Sequence, residues 1–291
     1  MIKNAFRGIL FSGVGSLWWG VIGVLYFKSV SFVDPIELIV HRTVWTAFLL
    51  IFTISIYSKW NDVFLILRNI KKTLILFFSG ILIVTNWFTW IYAVVTNRLV
   101  DASFGYYIFP ILSVYWGSVF LGEKLNIKKK ISIFIIILSI IYMMYFLEEF
   151  PWIGLVVAFS FSFYAVLRKI VMVETDVGLF IESIFLIPII IFIFYNLNIE
   201  NEIVFNLKNL ELSLILILAG PMTVIPLFLF VKGSELSGLG NASMIFFVAP
   251  TGQFLLGLFL YNEAFMINKL IGFILIWFAV LIYLLDLYEN N

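Results

Sequence analysis

The sequence predicts an all-α polytopic membrane protein whose ten transmembrane helices form two inverted five-helix repeats. Three observations predict it. The 291 residues are 63% hydrophobic and 12% charged, with a mean hydropathy of +1.12, whereas about 25% of residues are charged in soluble domains. Apolar runs long enough to cross a hydrocarbon core, which takes about 20 helical residues, recur along the whole chain. Finally, DASFGYYIFPILSVYWGSVFLGEKL from Asp101 recurs as NASMIFFVAPTGQFLLGLFLYNEAF from Asn241, ungapped at an offset of 140 residues. The identities Ala102/Ala242, Ser103/Ser243, Pro110/Pro250, Gly117/Gly257 and Glu123/Glu263 fall mostly on residue types that are scarce in this chain.

The first span runs from Gly8 to Phe27 after Lys3 and Arg7. It is long and lacks a small-x-small cleavage site, so it reads as a retained helix rather than a leader. Trp18 and Trp19 lie within it. The second, Pro35 to Tyr57, carries the chain's one histidine, His41, and beside it Arg42. Glu37, His41, Trp45 and Phe48 share a helical stripe, with Arg42 about 100° around. The third, Thr73 to Val95, brings Asn86, Trp87 and Trp90, an amide and two indoles that need polar partners inside a bilayer. The fourth, Asp101 to Leu121, aligns Ser103, Tyr106, Tyr107, Pro110, Ser113 and Gly117 at helical spacing. The fifth is Ile131 to Leu147.

The sixth span, Trp152 to Val171, holds Ser160 and Tyr164 one turn apart and ends on Arg168 and Lys169, which read as cytoplasmic anchors. The seventh, Gly178 to Asn196, contains Glu182, which an offset of 141 sets opposite His41. The eighth, Leu212 to Val231, and the ninth, Gly240 to Leu260, follow. The ninth repeats the fourth helix's face as Ser243, Phe246, Phe247, Pro250, Gln253 and Gly257. The tenth is Ile267 to Leu285. Pro110, Pro250, Pro188, Pro221 and Pro226 remove backbone hydrogen bonds and mark expected kinks. Trp60, Trp152 and Trp277 read as interfacial belt residues.

Orientation follows from the lysines and arginines. A cytoplasmic N-terminus puts Lys3, Arg7, Lys59, Arg68, Lys71, Lys72, Lys124, Lys128, Lys129, Lys130, Arg168, Lys169 and Lys232 inside. It leaves Lys28, Arg98, Lys208 and Lys269 outside. Both termini are then cytoplasmic, and Glu148 and Glu149 external. Five spans per half is odd, so residues 1–147 and 148–291 form oppositely oriented repeats, an arrangement that places a shared site at mid-membrane in many secondary transporters.

The expected site residues are His41, Arg42, Trp45, Asn86, Trp87, Trp90, Ser103, Tyr106, Tyr107, Tyr164, Glu182, Ser243 and Gln253. Ionisable side chains inside a bilayer are costly and usually face the bundle interior. His41 or Arg42 suits a carboxylate and Glu182 an amine or a coupling proton, with Trp90, Tyr106 and Tyr107 against an apolar portion. The alternative is that His41, Arg42 and Glu182 form one hydrogen-bonded cluster that only locks helices together. A net charge of +1 gives no reason to expect nucleic acid, and zero cysteines remove thiol chemistry and Cys-ligated metal. No metal and no cofactor is expected, and the oligomeric state is left open. An intramembrane enzyme lacks its motifs here, since a single histidine excludes the two-histidine zinc motif and no G-x-S-x-G or phosphate-binding loop occurs. A channel calls for a continuous polar ring rather than kinks and aromatic rings.

The run HRTVW from His41, the Asn86-Trp87 pair, ASFGYYIFP from Ala102, LGEKL from Leu121, FYAVLRK ending at Lys169 and LFIE ending at Glu182 are the residues that carry a resemblance. As a set they resemble the RarD family of chloramphenicol-sensitivity proteins, in the EamA-type branch of the drug/metabolite transporter superfamily. The resemblance covers nearly the whole chain. It implies a ten-helix bundle of two inverted repeats in a bacterial inner membrane and a permease or exporter of metabolites or drugs, with amino acids and other small polar metabolites carried by relatives. From the residues themselves, the expected mechanism is alternating access about a mid-membrane site for a small polar or zwitterionic metabolite, with protons as the candidate coupling ion because a membrane-buried carboxylate and a histidine are present. The second-half loop reads YNEAF where the first reads LGEKL, a departure from strict symmetry.

Overall fold

The computed structural model describes residues 2–96, 98–146, 150–197, 204–205, 209–259 and 267–289. Glu148, Glu149, Lys208 and the YNEAF loop lie outside these, as do the side chains of Lys3 and Lys269. Every element among the described residues is helical, because a helix satisfies its own backbone where no water can.

The first pass consists of α1 (Ile2–Leu17), a π-helical segment (Trp18–Gly23) and α2 (Val24–Ser29). The second is α3 (Pro35–Ile56), started by Pro35 and by the Asp34 carboxylate, which accepts from the Ile36 N–H at 2.7 Å. A short amphipathic helix, α4 (Trp60–Arg68), precedes α5 (Ile70–Val95), whose start is capped by Asn69. Then come α6 (Leu99–Leu121), ended by Gly122 in the left-handed region at φ 68°, and α7 (Ile127–Tyr145), capped by Asn126. The second half holds α8 (Trp152–Val171), α9 (Thr175–Leu197), the pair α10 (Leu210–Ile217) and α11 (Ala219–Ser237), the pair α12 (Leu239–Ile245) and α13 (Val248–Phe259), and α14 (Ile267–Glu289).

Eight passes are long and apolar enough to cross a membrane. The other two stand at the fifth and tenth places. In α7, Lys128, Lys129 and Lys130 occupy the first turn and shorten the apolar part, while α14 keeps a 17-residue apolar stretch over Leu270–Asp286.

Prolines divide into two groups. Pro221 and Pro250 are each the third residue of α11 and α13, just after breaks at Leu218 and at Phe246–Phe247. Pro110, Pro188 and Pro226 lie inside helices that continue through them. The π segment owes nothing to proline. It lies where the first and ninth passes cross, and there a Cβ on Gly20 would come within 2.5 Å of the Ala249 carbonyl oxygen, so only glycine allows the approach.

Helix pairs cross between the two halves of the chain. The closest neighbours are α6 with α8 and α12, α1 with α11, α5 with α8 and α9, α3 with α9 and α11, and α7 with α14. The main apolar core runs through the first three passes, α8, α9 and α11. A second cluster joins α6, α7, α12 and α14 around Tyr107, Phe247, Phe273 and Tyr283. Phe52, Phe134, Phe192 and Phe278 point outward, as suits a surface solvated by lipid. Trp277 departs from its expected place at the interface: its indole donates to Thr251 Oγ1 at 2.9 Å and its ring packs on Phe273.

Candidate functional site

Between the halves lies a narrow cleft, open at its mouth and lined by residues of both. The first five passes supply Trp19, Gly23, Phe27, Arg42, Ile83, Asn86, Trp87, Trp90 and Tyr106, and the later passes Phe161, Phe246 and Gln253. The cleft sits nearer the end of the bundle where α2 ends, α3 begins, α5 ends and α6 begins, since Phe27 is two residues before Ser29 and Arg42 seven after Pro35.

Arg42 is 4% exposed, with its guanidinium 4.5 Å from the Trp87 ring centroid and 5.0 Å from that of Phe27. Rings on a guanidinium supply cation–π attraction, but no carboxylate among the described residues pairs with it. Its Nε, the Trp90 Nε1 and the Gln253 Oε1 are buried without a hydrogen-bond partner. Such orphans are uncommon in folded proteins and call for a ligand or an unseen water. Asn86 is the satisfied member of the wall, donating to the Val157 carbonyl at 3.0 Å and to Ser160 Oγ at 3.3 Å, which ties α5 to α8.

The remaining expected residues lie in separate groups. His41 accepts at Nδ1 from the Trp45 indole at 3.1 Å and faces Glu37 through Nε2 at 3.5 Å. Glu37 in turn accepts from the backbone N–H groups of Phe205 at 3.0 Å and Val204 at 3.2 Å, and the Phe205 ring packs on His41. This group anchors the connection between α9 and α10 onto α3. Glu182 accepts from Ser79 at 2.5 Å and from Tyr164 at 3.4 Å, and its Oε1 lies 3.6 Å from Arg168. Arg168 also donates to the Thr175 carbonyl, and a Cβ on Gly178 would strike its guanidinium. Thus His41, Arg42 and Glu182 do not form one cluster. Helical phase explains the first separation, since Arg42 points off the Glu37–His41–Trp45 stripe.

Tyr106 faces the cleft and Tyr107 the second apolar cluster, stacked on Phe247. Ser243 is fully buried in α12 with its hydroxyl unpartnered, and Ser103 is half-buried; neither lines the cleft. Phe27 and Phe161 are wall residues the sequence reading missed. Their spacing offered a signal, since Trp19, Gly23 and Phe27 are one turn apart and Phe161 is one turn before Tyr164.

The far end of the bundle is tied by polar contacts. Glu123 accepts from the Leu239 and Gly240 N–H groups at 2.6 and 2.9 Å, capping α12. Lys169 donates to the Ser234 carbonyl at 2.5 Å, and Asn126 to Asp286 at 2.6 Å.

Comparison with known proteins gives the arrangement its context. The profile of the EamA-like transporter family matches residues 6–145. The chain is 31% identical to an uncharacterized transporter of Vibrio cholerae, over 98% of this chain and 94% of that protein. It is 31% identical to the uncharacterized transporter YojE of Bacillus subtilis over 95% and 93%, and 29% identical to Protein RarD of Escherichia coli over 98% and 96%. A protein of known crystal structure shares the fold with a TM-score of 0.65 at 15% identity, over 94% of this chain and 97% of that one. The chain therefore belongs to the EamA-like transporter family, among its RarD-like members, and is a multi-pass membrane transporter.

Proposed function

We propose that the protein is a secondary carrier of small polar metabolites, working by alternating access in a bacterial inner membrane with both termini cytoplasmic. The observation that carries this reading is the uncompensated Arg42 in a ring-lined cleft built from both halves. A charge within a bilayer costs at least about 2.5–3.5 kcal/mol on insertion scales, and a passing ligand gives such a residue a purpose.

The proposed architecture is two inverted repeats, residues 1–147 and 148–291. Its support is the pairing pattern. Exchanging each of the first five passes for the one five places later turns α1 on α11 into α8 on α5, and α3 on α11 into α9 on α5. It turns α6 on α8 into the α12–α13 pass on the first pass, while α3 on α9, α6 on α12 and α7 on α14 map onto themselves. A two-fold axis in the membrane plane would produce this regularity.

Alternating access then asks the cleft end to close while the Glu123 and Lys169 contacts at the far end break. Protons are the proposed coupling ion, with His41 and Glu182 as the exchanging groups. Counterflow in proteoliposomes tests the carrier reading, using labelled candidates from a screen of amino acids, osmolytes and nucleosides. Stimulation of uptake by unlabelled substrate inside the vesicle is the expected result. Flux without such stimulation would mean a channel. Loss of the pH dependence of uptake in Glu182→Gln or His41→Asn is expected from proton coupling, and wild-type behaviour in both would remove it.

A further inference from the structure

Resting on the carrier reading, the chemistry of the cleft narrows the class of cargo. We propose that the ligand is a small organic anion with a planar apolar body and a hydrogen-bond donor away from its carboxylate, and that zwitterions and cations are disfavoured.

Arg42 sets the sign. Its guanidinium carbon lies over the Trp87 and Phe27 rings, with no carboxylate beside it among the described residues, and its Nε has no acceptor. A carboxylate is the natural match for the guanidinium fork. The Trp90 indole N–H, also without an acceptor and also in the wall, is a second donor for the same group.

The absence of a second charge sets the class. None of the twelve wall residues is Asp or Glu. The buried carboxylates on neighbouring helices are already engaged, Glu37 by His41 and two backbone N–H groups, Glu182 by Arg168, Ser79 and Tyr164. A ligand ammonium would lose its water and find no anion. Aromatic rings can hold a cation, but two of these already hold the guanidinium, whose charge would repel another.

The rest of the wall describes the ligand's body. Seven of the twelve residues are aromatic, namely Trp19, Phe27, Trp87, Trp90, Tyr106, Phe161 and Phe246, so a flat apolar group fills the narrow space by ring contacts. Gln253, 5% exposed, has an unpartnered Oε1. That oxygen accepts only, so the ligand should carry a hydroxyl or amide N–H to meet it.

The test is equilibrium binding to the purified full-length chain in detergent, using three probes of one shape: 4-hydroxybenzoate, 4-hydroxybenzamide and 4-hydroxybenzylamine. Saturable binding of the acid is expected, with the amide weaker by roughly tenfold to a hundredfold, as for loss of charged hydrogen bonds to a buried group, and the amine weakest. Equal or tighter binding of the amide or amine, or no binding of the acid, overturns the proposal. Gln253→Glu adds a carboxylate to the cleft with little change of shape, so it should weaken the acid and strengthen the amine. An unchanged order of preference in that variant also overturns it, even if Arg42→Gln fails to fold. Binding needs no flux. Binding that follows charge while counterflow is absent would therefore sink the carrier reading alone, and counterflow by a substrate with no negative charge would sink the anion class alone.

Discussion

Two arginines are buried equally deeply, each 4% exposed, and they differ in their company. Arg168, at the end of α8, faces the Glu182 carboxylate and the Thr175 carbonyl in a space that Gly178 leaves open. Arg42, early in α3, lies between the Trp87 and Phe27 rings at the wall of a cleft, with no carboxylate beside it among the described residues. The first is compensated inside the protein and so contributes to holding α5, α8 and α9 together. The second is compensated by rings alone, which leaves its N–H groups for something that comes and goes. Arg168 also has a buried Nε and Nη1 without a hydrogen bond, so an unpaired N–H does not mark a binding residue; the missing carboxylate does.

The comparison is broken most severely at the compensated arginine. Arg168→Leu leaves Glu182 buried with only Ser79 and Tyr164, and removal of one member of a buried pair typically costs about 3–5 kcal/mol. Thermal unfolding in detergent should fall well below wild type. Arg168→Leu with Glu182→Leu should recover much of the loss, because no charge is then stranded. If the single variant unfolds no earlier than Arg42→Met, the two arginines are not different in kind.

Arg42→Met is the second test, and it reads the other way. No anion is stranded by it, so folding should be kept or slightly improved, while binding of an anionic substrate weakens by about 1.5–3 kcal/mol, the range for hydrogen bonds to charged groups. A large loss of stability with unchanged binding would make Arg42 a structural residue.

This contrast was only half legible in the sequence. Arg42 stood out because a lone cation in an apolar run is visible by eye, and helical phase already set it apart from His41. Tyr106 and Gln253 were legible through the repeat, which carries the same stripe in the fourth and ninth helices. Arg168 read as a membrane anchor because its partner is 14 residues away across a helix turn, a distance no periodicity reports. Phe27 and Phe161 were missed for a different reason, although each sits one turn from a residue that did stand out. Among 33 phenylalanines, a ring that faces a cleft has the same sequence signature as one that faces lipid. The eight membrane-crossing helices among the described residues were legible from apolar runs, but the π segment at Trp18–Gly23 was not, because it answers to contact with Ala249 in another helix.

Smaller effects sharpen the boundary of the cleft. Tyr106→Phe and Gln253→Leu each remove a neutral polar group from the wall, and a neutral hydrogen bond contributes about 1 kcal/mol. Each should weaken substrate binding by about that much with little change in unfolding temperature. Tyr107→Phe, whose hydroxyl is buried in the second cluster without a partner, should leave binding unchanged. Equal effects at Tyr106 and Tyr107 would mean that the cleft does not distinguish the two faces of α6.

The smallest effect is expected where charges meet outside the membrane-spanning helices. Lys59, in the turn after α3, contacts Asp176 in the first turn of α9 at 2.6 Å and Glu174 just before that helix at 2.7 Å. Partial burial works against its charge, but the hydrogen bonds and charges of the two carboxylates outweigh that and raise its pKa above the ordinary lysine value of 10.5. A raised lysine pKa means that the native state holds its proton more tightly. The stabilisation is therefore fully present below pH 10.5 and is lost as the pH rises through the folded-state value. Water screens this bridge, whose Glu174 side chain is 63% exposed, so it should contribute no more than about 1 kcal/mol. Lys59→Met should lower the unfolding temperature slightly and evenly from pH 6 to pH 10, and the difference from wild type should shrink only above that range. A loss as large as that of Arg168→Leu would show that the solvated turn, and not the buried pair, fixes α3 against α9.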